Sequence, residues 1–124
     1  MEVKNYVGVI IEESLENTDV LDNIEILSTD ISPVTEANAT PWLKVWTLHT
    51  VEIKVHNVDM VAELLSKSLD TKGHWYADFR NTEYHYVIFR DKVFKINRSD
   101  SAQYAQVKEY GISKGIPDYQ LDLC

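Results

Sequence analysis

The residue pattern predicts an α+β domain: a mostly antiparallel sheet of five to six strands with two helices packed on one face, in a ferredoxin-like or related two-layer sandwich. Three observations predict it. Residues 75–98, the densest aromatic stretch, divide into three short alternating segments at two polar breaks. Residues 42–55 alternate in the same way and are rich in β-branched side chains. Two stretches, beginning near Asn57 and near Ser101, switch to the three-to-four spacing of an amphipathic helix. The order is three strands, a helix, three strands and a helix, so the first helix is the expected crossover. A chain of 124 residues is one domain by size and long enough to bury a core without staples.

Residues 5–11, NYVGVII, are almost continuously apolar, as expected of a strand buried on both faces. Gly8 inside that run marks either a weak point or a close approach by another backbone. Residues 24–31, IEILSTDI, form the second expected strand, with Pro33 ending its pairing or placing it at an edge. In the third strand, Val45, Thr47, His49, Val51, Ile53 and Val55 share one face. Trp46, Leu48, Thr50, Glu52 and Lys54 share the other. His49 lies among apolar neighbours and is expected to be a satisfied, partly buried side chain rather than a ligand or base.

The first helix is expected to begin at Asn57 as N-cap, with Asp59 in its first turn. Its stripe is Val58, Val61, Leu65 and Leu69, widened by Met60 and Leu64. Residues 70–73 form a turn in which Gly73 is free to take positive φ. The second helix starts among Ser99, Asp100 and Ser101 and runs to about Tyr110, with Ala102, Tyr104, Ala105 and Val107 inward and Gly111 just past its end. The tail, ISKGIPDYQLDLC, is a loop or a short final strand.

Within residues 75–98, a two-residue turn at Asn81-Thr82 sets Arg80 against Glu83, Phe79 against Tyr84 and Asp78 against His85. Opposed charges of opposite sign support that register. A second turn at Asp91-Lys92 sets Phe94 against Phe89, Ile96 against Val87 and Arg98 against His85. One face then carries Trp75, Ala77, Phe79, Tyr84, Tyr86 and Ile88. The other is apolar near Val87 and Phe89 and charged near Asp78 and His85.

Segments 41–53, PWLKVWTLHTVEI, and 75–96, WYADFRNTEYHYVIF–RDKVFKI, resemble those of a family of small prokaryotic proteins of uncharacterised function. The resemblance covers about half of the chain and implies no activity, so no site residue is transferred through it.

The net charge of −8 argues against binding a nucleic-acid backbone. Residues 72–98 nevertheless carry six bases against three acids. The lone cysteine, Cys124, gives no internal disulfide and fits a reducing cytoplasm. The apolar run near the N-terminus is too short for a membrane span or signal core. No cofactor motif is present. His49, His56, His74 and His85 lack the spacing or cysteine partners of a metal site, so none is expected.

The candidate site is the charged end of the second face. Asp78 could fix the tautomer of His85 and prepare it as a general acid or base. Arg98 or Arg80 could hold an anion bidentately, with Tyr76 and Glu83 beside them. No Ser or Cys is expected near His85 to serve as a nucleophile. The plainer alternative is a set of solvated cross-strand pairs. Two readings follow: a non-enzymatic binding module for itself or for a small anionic molecule, and a small enzyme built on His85 and Asp78. A concave pocket joining His85, Asp78 and an arginine would favour a ligand or active site.

Overall fold

The computed structural model describes residues 5–35, 40–71, 74–117 and 120–121. Its order is β1 (Tyr6–Ile11), β2 (Glu25–Pro33), β3 (Val45–Ile53), α1 (Val58–Ser68), β4 (Ala77–Arg80), β5 (Tyr84–Phe89), β6 (Lys92–Asn97) and α2 (Ser101–Ser113). This is the expected α+β class, and the elements follow the expected sequence. The six strands form one sheet in the order β2-β3-β1-β4-β5-β6, and every neighbouring pair is antiparallel. α1 is the crossover: it carries the chain from β3 past β1 to β4.

Within that class the helices divide between the two faces rather than sharing one. Residues 85 and 86 are adjacent, so they point to opposite sides of β5. Tyr86 donates its hydroxyl to Asp59 Oδ1 of α1 at 2.7 Å, whereas His85 meets the Tyr104 hydroxyl of α2 at 3.0 Å. β5 is accordingly buried on both sides from His85 to Phe89. The face under α1 holds the larger core: Tyr6, Ile10, Val51, Ile53, Phe79, Tyr86 and Ile88 against Val58, Val61, Ala62 and Leu65. Tyr6 meets Tyr86 edge-on at 5.2 Å between ring centres, and Phe79 stacks on Tyr86 at 5.3 Å. Among the described residues the opposite face is covered at its β5–β6 end, where Tyr104, Val107, Ile116 and Leu121 pack on Val87, Phe89 and Ile96.

Three departures from the sequence pattern stand out, the first of them a consequence of the half-covered face. β1 is buried on one side alone: Val7 and Val9 are 46% and 45% exposed, because α2 stops short of them. The continuous apolar run therefore does not mark a strand covered twice. Met60 and Leu64 do not widen the α1 stripe and are exposed; Ala62 takes the inward position instead. Ala102 and Ala105 are exposed on α2, whose buried stripe is Tyr104, Val107 and Gly111.

Local chemistry accounts for the element ends. Asn57 stands at the α1 N-terminus but makes no side-chain cap there. Asp100 caps α2, accepting from the backbone N–H of Ala102 and Gln103. Gly111 does not end α2: the helix continues to Ser113, and Gly111 gives room to Leu121 and Phe89. Gly115 at φ +91° ends it in a Schellman arrangement, with Ile116 N–H bonded to Gly111 O and Gly115 N–H to Ile112 O. Gly8 is the close approach its position suggested. A Cβ there would sit 2.2 Å from the Asp78 carbonyl oxygen, so β1 and β4 can pair only with glycine at that point. β2 is an edge strand ending at Pro33, with an irregular register between Ile26 and Ser28. Gly73 and tail residues 118–119 and 122–124 lie outside the described residues; in the rest of the tail Ile112 and Ser113 continue α2, and Ile116 and Leu121 are buried.

Candidate functional site

Both turns of residues 75–98 are centred one residue from where they were expected. Asn81 Oδ1 accepts from the N–H of Glu83 and of Tyr84, at 2.9 and 2.8 Å, so Asn81 precedes the turn instead of occupying its centre. The turn is Thr82-Glu83, and Arg80 pairs with His85, Phe79 with Tyr86, Asp78 with Val87 and Ala77 with Ile88. The second turn is Arg90-Asp91, with Asp91 at φ 60°, so His85 pairs with Ile96, Val87 with Phe94 and Phe89 with Lys92. Each register therefore differs from the expected one by two residues. An even shift leaves every side chain on its expected face.

Asp78 and His85 accordingly meet on a diagonal instead of face to face. His85 Nε2 lies 2.7 Å from Asp78 Oδ2, and His85 Nδ1 lies 3.0 Å from the Tyr104 hydroxyl. A carboxylate oxygen accepts, so Nε2–H donates to Asp78, and Nδ1 shares a hydrogen bond with the Tyr104 hydroxyl. This is not a solvated surface pair. His85 is 0% exposed, while the Asp78 side chain is 38% exposed. The burial comes from α2, which lays Tyr104 across the polar end of the face. Among the described residues no buried side-chain nitrogen or oxygen lacks a partner.

Asp78 opens onto a groove of about 590 Å³ on the uncovered half of the face. Val7 and Val9 form its floor, with Asn5 and Thr50 beside them. Arg80, Asn81, Thr82 and Arg98 form the wall toward the β4–β5 turn. Arg98 Nη1 donates to the Asn81 carbonyl at 2.7 Å, which holds the guanidinium at the groove. Beyond Asp78 a second depression of about 320 Å³ shares Val9 and Asp78, and Ile11, Trp46, Leu48, Trp75 and Tyr76 help to line it.

Of the expected site residues, Asp78, Arg80 and Arg98 share the groove, and Tyr76 lines its continuation with its hydroxyl donated to the Gln120 carbonyl. Glu83 does not take part. It lies in the turn, and among the described residues it forms no ion pair with Arg80. Arg98 lies two residues beyond the partner of His85. Val7, Val9 and Tyr104 belong to the site but were read as core or helix stripe. A polar histidine on a sheet face demands a second hydrogen-bond partner, and that demand was the one available pointer to Tyr104.

His49 is the satisfied histidine that its neighbours suggested: Nδ1 meets Thr29 Oγ1 at 2.9 Å and Nε2 meets Glu12 Oε1 at 3.1 Å. Among the described residues no three His, Cys, Asp or Glu side chains converge as metal ligands. No described helix is long and apolar enough to cross a membrane.

Comparison with known proteins gave no match: no family model, no curated protein and no solved structure is similar to this chain.

Proposed function

We propose that this chain is a binding module that holds a small anionic molecule on the uncovered half of its sheet. One observation carries the reading: Arg80 and Arg98 line the same groove above an apolar floor of Val7 and Val9. A guanidinium presents donors in a planar fork that suits carboxylate or phosphate, and an apolar floor strengthens the attraction by excluding water. Self-association has less support, because the aromatic face that a second copy would have buried already packs under α1.

The enzyme reading rests on the 2.7 Å contact between His85 and Asp78. Burial of the ring, with both nitrogens engaged, weighs against His85 as the group that meets a substrate. In that reading Asp78 faces the substrate, and His85 and Tyr104 are positioning residues.

The test of binding is an NMR titration of the protein with inorganic phosphate and with acetate. The reading expects saturable shifts at Val7, Arg80 and Arg98, lost in the Arg80→Gln, Arg98→Gln double variant. Shifts absent from these residues at millimolar anion, or unchanged in the double variant, would overturn it.

A further inference from the structure

Resting on that anion-binding reading, we infer that the groove takes a zwitterion with an apolar tail, of the class of an apolar amino acid. The inference comes from the order of chemistry along one face of β1. Val7 pairs with Arg80, Val9 pairs with Asp78, and Ile11 pairs with Leu48. On the β4 side of β1 a cation and a carboxylate therefore stand one two-residue step apart, about 6.6 Å on strand geometry, and one step further along β1 an apolar wall begins at Ile11 and continues onto Leu48 of β3, on the other flank of β1. The trough is continuous across them, since Val9 and Asp78 line both of its halves.

A simple anion uses only the first of these stations. Anything longer must pass Asp78, which a plain carboxylate with a greasy tail would meet with repulsion or an empty acceptor. The ligand that matches all three carries its anion at Arg80 and Arg98, an ammonium at Asp78 and an apolar tail against Ile11, Leu48 and Trp46. The flexible arginine stems span part of the first interval. Asp78 suits an ammonium because Oδ2 alone is engaged by His85 and the side chain remains partly open to the groove. The buried His85–Tyr104 pair keeps the carboxylate fixed in place, so little ordering is left for the ligand to impose.

Three probes separate the stations: L-phenylalanine carries all three groups, L-alanine lacks the tail and 3-phenylpropanoate lacks the ammonium. Titration of the intact protein, followed by NMR and by fluorescence of Trp46 and Trp75, is expected to show phenylalanine binding about tenfold tighter than either of the others. The Leu48 amide and the Trp46 indole N–H should shift with phenylalanine and remain still with alanine. Asp78→Asn should remove the advantage of phenylalanine over 3-phenylpropanoate and keep its advantage over alanine. Equal affinity for the three probes, with acetate still bound at Arg80 and Arg98, overturns this inference and leaves the anion site standing. Failure of every probe, acetate and phosphate included, overturns both. Phenylalanine binding with shifts confined to other parts of the sheet also overturns the inference.

Discussion

Removing the carboxylate of Asp78 tests whether the buried His85 depends on it. In Asp78→Ala the Nε2–H of a ring with no exposure loses its acceptor, and a buried donor without a partner costs about 1–3 kcal/mol. Asp78 is partly open to the groove, so water can enter the vacated space and recover part of that loss. We expect about 2 kcal/mol. Asp78→Asn keeps an acceptor oxygen at the same place and should cost about half as much. Tyr104→Phe removes the bond to Nδ1 at a point closed to solvent and should cost about 1–1.5 kcal/mol. Because both bonds end on one ring, the double variant Asp78→Ala, Tyr104→Phe should depart from additivity by at least about 0.5 kcal/mol. Urea unfolding followed by far-UV circular dichroism measures all four, provided that the slope with denaturant stays constant. A cost for Asp78→Ala below about 0.5 kcal/mol, or equal costs for the Ala and Asn variants, would refute the dependence of His85 on this bond.

Gly8→Ala drives a Cβ into the Asp78 carbonyl and Phe79, and the neighbour at fault is backbone that cannot swing away. The clash should cost up to about 3 kcal/mol, less under 1 kcal/mol recovered from the unfolded chain, and a thermal melt lowered by several degrees would show it. Burial, reinforced by the hydrogen bond to Asp59, raises the Tyr86 pKa above the usual 10, and burial raises that of Tyr6 as well. A raised tyrosine pKa stabilises the fold fully below pH about 10 and loses that contribution as pH climbs further. Unfolding free energy should therefore fall above pH about 10, and less steeply in Tyr86→Phe; equal slopes would contradict the assignment. Gly115→Ala should destabilise by about 1–2 kcal/mol in the same urea assay, because φ +91° disfavours a side chain and the new Cβ would press on the His74 ring.

Element type was legible because each segment states its own period. The two-residue alternation of residues 45–53 and the 58, 61, 65 spacing are local properties that survive folding. Turn centres were less legible. Asn81 is equally at home inside a turn or just before one, and only its bonds to Glu83 and Tyr84 decide between them. That error cost little at the site, since an even register shift kept Asp78 and His85 on one side of the sheet.

What the pattern could not supply was the side on which each helix lands. A stripe such as Tyr104, Val107 and Gly111 says which residues go inward, not which face of the sheet receives them. That one unknown changed the character of the site. With α2 on the same side as α1, the open face of the sheet would have been flat and His85 solvated. With α2 opposite, half of that face is buried, His85 is sealed and the remaining half becomes a groove. The exposed valines of β1 follow from the same placement, which is why an apolar run that reads as core turned out to be the groove floor.

The position of β1 also constrains the order in which the protein can assemble. β2 and β3 are neighbours in the chain, as are β4, β5 and β6, so each group can form from nearby residues. β1 alone lies between them, and its partners are some forty and seventy residues away: Tyr6 pairs with Ile53, and Val7 pairs with Arg80. Closing such distant pairings is slow relative to hairpin formation. Until β1 inserts, the molecule is two separate sheets with facing open edges, and the groove floor does not exist. The rate-limiting event in folding is therefore expected to be the same event that creates the groove, and the proposed binding surface should appear in one step with the last closure of the sheet.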